Sequence, residues 1–300
     1  MSGHIISGVV DHLTCCACGA ANGAAGRLEA AVVRSNVRHF RDEQFAVWRC
    51  EGCGSIHTRD RVDLAHYYED YPFRRQRLNW MVRRVYGLLL RRLRRAGVRR
   101  SDSVLDFGCG SGLLVEFLHS KGYARAVGYD AYTEGFGDPA LLKGRYDCLF
   151  AQDVIEHVDD PIGTLRTFHG LVNAGGLIII GTPNAAAIDL QRPERYVHSL
   201  HQPYHRHVLS KRALLAGAAE LRWTLVRFYP TAYTNTRIPF LNTRFLLHYF
   251  RCFDDTVDVA FEKRPRANRR FLLSPSTYID GLFGSFRDPR TEMFAVFRKA

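Results

Sequence analysis

The feature that most restricts what this chain can become is the run Val104-Leu105-Asp106-Phe107-Gly108-Cys109-Gly110-Ser111-Gly112. Apolar, strand-forming residues lead into three glycines at alternate positions, and an apolar helical pattern starts at Leu113. Strand, glycine turn and helix in that order form the opening unit of a parallel α/β sheet. Glycines let the main chain turn sharply and let a ligand come close to it. The free N–H groups at the start of the helix favour an anionic group. A dinucleotide-binding loop wants glycine or alanine three residues past its second glycine. Here Leu113 holds that place, and the third glycine, Gly112, arrives early.

The rest of the chain from Ser103 fits a doubly wound α/β domain with a mostly parallel sheet of the seven-stranded type. Strands are expected at 103–107, 126–130, 146–152, 176–183, 224–228 and 293–298. Helices are expected at 113–121, 161–171 and 211–221, the last capped by Ser210. Little room lies between Asp130 and Tyr146 for a full helix and strand, so the third unit reads as trimmed. Residues 229–290 break the alternation and are rich in aromatics, among them Phe240, Phe245, Tyr249 and Phe271. They read as an insertion before the last strand.

Asp106, two residues ahead of the first glycine, would repel a pyrophosphate but suits S-adenosylmethionine. That molecule offers an ammonium to Asp106 and a carboxylate to the helix start, and has no phosphate to hold. Asp130 closes the next strand, where a carboxylate can accept from both ribose hydroxyls or, more plainly, cap a turn. With YDCLFAQDVIEHVDDP and NAGGLIIIGTPN following, the chain resembles class I S-adenosylmethionine-dependent methyltransferases, most closely the bacterial small-molecule branch. In that branch the fourth strand leads to Glu-His and Asp-Pro, here Glu156-His157 and Asp160-Pro161. The resemblance covers roughly residue 68 to the end. It implies that Asp106, Gly108, Cys109, Gly110 and Gly112 wrap the methionine tail, that Asp130 holds the ribose, and that Gln152 and Asp153 face the cofactor. Cys109 reads as a small loop residue rather than a nucleophile. The acid that usually contacts adenine cannot be assigned, and Asp138 is a poor candidate.

Methyl transfer needs an aligned nucleophile in a water-excluded site and, for oxygen or carbon, a base. His157 is the first candidate base; it serves equally well as a histidine that orients its loop. His205, in His201-Gln-Pro-Tyr204-His205-Arg-His207, is the expected histidine of the acceptor pocket. No acid spacing around those histidines argues for a metal. Tyr67, Tyr68 and Tyr71 belong to an aromatic connector that reads either as a lid over the cofactor or as a packing staple.

Five of the eight cysteines fall within the first 53 residues. Cys15-x-x-Cys18 and Cys50-x-x-Cys53, each followed by glycine, form a specific pattern for a closed four-cysteine zinc ribbon. Such a zinc would be structural, since a module this small needs a staple. Cys16 reads as a bystander, and a redox pair is the competing assignment. Strands are expected at 27–33 and 44–49. The expected organisation is therefore a ribbon over 1–65, the connector and a basic helix over 66–100, and a methyltransferase domain over 101–300.

The chain carries a net charge of +12, and residues 74–100 hold eleven arginines and no acid. An apolar stripe (Leu78, Met81, Val82, Val85, Leu89, Leu93) makes this segment a helix with a solvated basic face, expected over 76–96 and ended by Gly97. The leading functional expectation is an enzyme methylating a small acceptor such as a natural product, a sugar or a lipid-like molecule; the aromatic insertion favours an apolar or ring-containing one. A second reading is an RNA methyltransferase that binds through ribbon and helix, against which Gln152-Asp153-Val154-Ile155 offers no loop for a flipped base. A third is a binding module that kept the fold. No apolar run is long enough for a membrane span, and the first residues do not read as a signal peptide, so a cytoplasmic location is expected. The oligomeric state cannot be read.

Overall fold

The computed structural model describes residues 13–23, 28–60, 62–69 and 71–300, apart from the side chains of Arg74 and Arg75. The expectation about the N-terminal leader, and the start of the strand expected from Arg27, fall outside the described residues.

Two short strands, β1 (Leu13–Thr14) and β2 (Ala21–Asn22), pair around the first cysteine knuckle. Then come β3 (Ala30–Arg34), β4 (Gln44–Arg49) and β5 (Ile56–Thr58), an antiparallel meander. The aromatic connector forms α1 (Leu64–Glu69) and leads to α2 (Trp80–Ala96). That helix starts later than its periodicity suggested, because Asn79 caps it by accepting from the Val82 N–H; Gly97, in a left-handed conformation, closes it as expected.

The central sheet is built from β6 (Val104–Phe107), β7 (Ala126–Tyr129), β8 (Tyr146–Gln152) and β9 (Val172–Pro183), all parallel. Helices α3 (Leu113–Ser120) and α4 (Pro161–Leu171) connect them. After β9 the chain forms α5 (Val197–Leu200), the two-residue strand β10 (His207–Val208), α6 (Lys211–Glu220) and β11 (Trp223–Tyr229). The 229–290 segment contains α7 (Thr243–Phe253), α8 (Arg269–Leu273) and α9 (Pro275–Phe283), and β12 (Glu292–Lys299) ends the chain. Strand order is β11-β12-β9-β8-β6-β7, with β12 antiparallel to both neighbours. Among the described residues this sheet has six strands rather than seven. The missing unit lies between β7 and β8, where only a 3-10 turn at Pro139–Lys143 fits.

Strands β8 and β9 read as unbroken apolar runs because both faces are covered. Ile178, Ile179 and Ile180 are all fully buried. One face packs Leu165, Phe168 and Leu214 of α4 and α6; the other packs Leu89, Leu93, Phe117 and Leu118 of α2 and α3.

The ribbon is built into this body. Strand β10 pairs with β5, so residues 207–208 complete a four-stranded sheet ordered β10-β5-β4-β3. Ser210, which caps α6, also donates its hydroxyl to the Cys53 carbonyl at 2.6 Å. The aromatic insertion packs largely on itself and on the ribbon. Phe250, Val257 and Val259 join Val37, Phe40 and Phe45 in one cluster, and Arg38 bridges to Asp254 and Glu262 at 2.8 and 2.7 Å. No described helix is long and apolar enough to cross a membrane.

Candidate functional site at the carboxyl end of the sheet

The glycine loop is braced by the end of β7. The Gly108 and Cys109 N–H groups both donate to the Tyr129 carbonyl, at 2.7 and 3.1 Å. Asp130 clamps the loop from the same side: one carboxylate oxygen accepts from Gly110 N–H at 3.0 Å and the other from Tyr132 N–H at 2.9 Å. Gly108 has φ +77, and a Cβ there would stand 2.4 Å from a Val154 methyl; at Gly112 it would stand 2.3 Å from the Phe136 ring. Both positions therefore need glycine for conformation and for space. Gly110 has nothing within 4 Å of where its Cβ would be, so that part of the loop borders open space. Cys109 turns its sulfur toward Gly128, and burial pushes its thiol well above the usual range. It is a packing residue, not a nucleophile.

Asp106 is 5 % exposed at the end of β6. Burial, and after it the nearby charge of Asp130, raises its carboxyl to about 7. Two carboxylates crowd one loop, and the start of α3 adds N–H groups that no side chain caps. Such a site attracts a ligand carrying both a cation and a carboxylate, and repels a polyphosphate.

Gln152 and Asp153 end β8. The Gln152 amide donates to an Asp153 carboxylate oxygen at 2.7 Å, while its own Oε1 is buried without a partner among the described residues. Asp153 has φ +53, a left-handed conformation uncommon outside glycine and frequent at functional positions. Its side chain is exposed at the surface, and desolvation by the protein packed around it, countered by the hydrogen bond from Gln152, leaves the carboxyl raised to about 6.

Beyond β8 the loop carries Glu156 and His157. Glu156 is fully buried and accepts from the Thr182 hydroxyl at 2.9 Å; its other oxygen has no hydrogen-bond partner among the described residues. Burial, then the nearby charge of Asp153, pushes its carboxyl well up. His157 Nδ1 lies 3.0 Å from the Tyr68 hydroxyl, and Tyr68 stacks on Tyr132 beside Asp130. Burial, then His201, lowers His157 to about 3. His205 packs edge-on against His157 at 4.8 Å between centroids and donates from Nδ1 to the Ser199 carbonyl at 2.9 Å. Its Nε2 lies 4.0 Å from Glu156 Oε1.

Both expected histidines thus meet, with Glu156 as a third member that sequence reasoning quoted only as part of a motif. The three offer ligand atoms within 4.8 Å of one another. The connector divides between its two readings. Tyr67 is a staple, buried and donating to Glu43 at 2.6 Å, whereas Tyr68 reaches the site. Asp138 caps the 3-10 turn before β8.

The four ribbon cysteines converge separately. Cys15 and Cys53 sulfurs lie 3.6 Å apart, as do those of Cys18 and Cys50, and all four lie within 4.8 Å of one another. None forms a disulfide. A tetrahedral zinc with sulfur bonds near 2.3 Å places its sulfurs about 3.8 Å apart, so this donor set fits such an ion.

Comparison with known proteins agrees with this geometry. A family described as a methyltransferase domain matches residues 80–226. The ubiquinone biosynthesis O-methyltransferase of Aeromonas salmonicida is 30% identical over 130 residues, 36% of this chain and 50% of that protein. Its counterpart in Ruegeria pomeroyi is 32% identical over 129 residues, 36% of this chain and 52% of that protein. The chain spans about half the length of the curated relatives it matches. Among solved structures, a geranyl diphosphate C-methyltransferase from Streptomyces coelicolor shares 16% identity with a TM-score of 0.43, over 72% of this chain and 78% of that one. Residues 80–226 thus match a methyltransferase domain, and they fold on a Rossmann-like, mostly parallel sheet.

Proposed function

We propose that this protein transfers a methyl group from S-adenosylmethionine to a small-molecule acceptor. The observation that carries the reading is the buried Asp106 carboxyl beside the open Gly110 stretch, the place where a cationic amino-acid tail fits and a dinucleotide does not. Asp106 and the Gly108–Gly112 loop hold the methionine portion, the start of α3 receives its carboxylate, and Asp130 faces the ribose while bracing the loop. Gln152 and Asp153, at the end of β8, are proposed to lie beside the cofactor. When bound, S-adenosylmethionine supplies a methyl group on a positively charged sulfur, already a strong electrophile. The chain's own part is to align the acceptor, exclude water and take a proton.

The relatives named above are O-methyltransferases, and an oxygen acceptor needs a base. Burial holds His157 near 3, so it is a weak acceptor of protons at neutral pH, and its nitrogen is engaged with Tyr68. We assign the base instead to Asp153, exposed just past β8 and raised to about 6. His157 and His205 then hold Tyr68 and Glu156 in place around the acceptor.

The RNA reading finds less support. Arg92 of the basic helix lies 4.5 Å over the Tyr229 ring and donates to the Thr231 and Ala232 carbonyls, and Arg94 donates to Tyr123. Part of the basic helix is thus engaged in holding the fold. The four cysteines are proposed to hold a structural zinc that fastens the ribbon.

Calorimetry with S-adenosylhomocysteine tests the cofactor site. The parent is expected to bind and Asp106→Ala to bind about 100-fold more weakly, as expected for loss of a buried charged hydrogen bond. Equal binding by the two proteins removes the reading. With an acceptor in hand, the methyl-transfer rate should rise with pH through about 6, and Asp153→Asn should abolish that rise.

A further inference from the structure

Cys16 stands outside the four-cysteine cluster and meets two histidines instead. Its sulfur lies 3.6 Å from Nδ1 of His57 and 3.4 Å from Nδ1 of His207, and those two nitrogens are 3.1 Å apart. A tetrahedral zinc, with bonds near 2.3 Å to sulfur and 2.0–2.1 Å to nitrogen, sets a sulfur and a nitrogen about 3.6 Å apart and two nitrogens about 3.3 Å apart. The three contacts agree with those values to within a few tenths of an ångström. Strand register makes the meeting: β5 and β10 run antiparallel with His57 directly opposite His207.

The outer nitrogens supply an independent observation. His57 Nε2 lies 3.2 Å from the Cys15 sulfur, and His207 Nε2 lies 3.1 Å from the Asp159 carbonyl oxygen. With Cys15 a thiolate, as in the proposed four-cysteine centre, each imidazole has an acceptor for an Nε2–H, which leaves its Nδ1 as a bare lone pair, the state a metal ligand requires. Two bare lone pairs at 3.1 Å repel each other unless a cation lies between them.

We propose that Cys16, His57 and His207 hold a second divalent transition-metal ion of the zinc class, beside the four-cysteine centre and tied to it by the His57–Cys15 hydrogen bond. Three protein ligands leave a fourth position for water. The ion joins the ribbon to the segment that positions the site. The Arg206 and His207 N–H groups donate to the Glu156 carbonyl at 2.8 and 3.2 Å, and His207 holds Asp159 in the same loop. The site therefore clamps the loop that carries Glu156 and His157 to the N-terminal sheet.

The test is the metal content of the full-length protein, expressed with zinc and purified without chelator, measured by mass spectrometry. Two ions per chain are expected in the parent and one in Cys16→Ala and in His207→Ala. A parent with one ion that persists in both variants overturns the proposal, as do two ions per chain in all three proteins. No bound ion in any of them overturns this site and the ribbon zinc together. One ion that leaves with Cys16→Ala but stays in Cys18→Ser supports this site and refutes the ribbon zinc. If the variants do not fold, cobalt loading of the parent decides. Thiolate-to-cobalt absorption of five sulfurs shared by two ions supports the second site; that of four sulfurs on one ion overturns it.

Discussion

The glycine loop and the cysteine knuckles begin alike and end differently. Each is a turn shaped by glycine in a left-handed conformation: Gly108 and Gly112 in the loop, Gly19 and Gly54 in the knuckles. In the knuckles the turn closes on itself. Gly19 N–H donates to the Cys15 carbonyl and Gly54 N–H to the Cys50 carbonyl, both at 2.8 Å, and the sulfurs converge on one point. In the loop Gly112 N–H also turns back, to the Cys109 carbonyl at 2.9 Å, but the Gly108, Cys109 and Gly110 N–H groups go outward to Tyr129 and Asp130, and the carboxyl of Asp106 stays apart. Similar backbone devices thus serve opposite ends. One gathers its side chains to a single point that holds the chain, and the other holds its backbone still and leaves a carboxyl and a helix start for something that comes and goes.

The widest gap between the two should appear on removing a donor from each. Cys50→Ser is expected to lower stability by several kcal/mol, since a structural zinc contributes directly to folding. Denaturant unfolding followed through the buried Trp48 reads this, and an unchanged midpoint would erase the distinction. Asp106→Asn, by contrast, should leave the midpoint unchanged or raise it, because a buried carboxyl that resists ionisation is replaced by a neutral group. Gly108→Ala comes next. It strains φ and drives a methyl into Val154, for an expected cost of about 1–3 kcal/mol together with loss of cofactor binding; Gly110→Ala, facing open space, should cost less.

The smallest effect is a pH dependence confined to the loop. In the free protein Asp106 carries a proton below about 7, whereas an ammonium favours its ionised form. Binding of S-adenosylhomocysteine should therefore strengthen as pH rises through about 7 and weaken below it, by at most about tenfold per pH unit. Calorimetry at pH 6 and 8 measures the slope, and an Asp106→Asn protein should show none of this component.

Much of this was legible in the chain. Residues 104–107, 126–129 and 146–152 fold as the strands their apolar runs indicate, because burial on both faces leaves little competing structure. The trimmed unit after Asp130 was visible as a simple lack of length. The two-residue strand β10 was not, since it exists only by pairing with β5 and has no periodicity of its own. The histidine-rich stretch was misleading for the same reason. His205 turns to Glu156 and His157, while His207 turns to His57 and Cys16, and no local spacing distinguishes them. Tyr68 could be suspected as a lid residue, but its hydrogen bond to His157 joins positions 89 residues apart.

The fourth strand of the N-terminal sheet also bears on how the protein is made. β5 must wait for β10, about 150 residues later in the chain, before its outer edge is covered. On the ribosome, where segments emerge at several residues per second, β5 is made well before the strand that completes its sheet. Until then its edge stays open to neighbouring chains. Growth at low zinc or with slowed elongation should accordingly show its damage first in aggregated nascent chains, before any loss of activity in the molecules that finish.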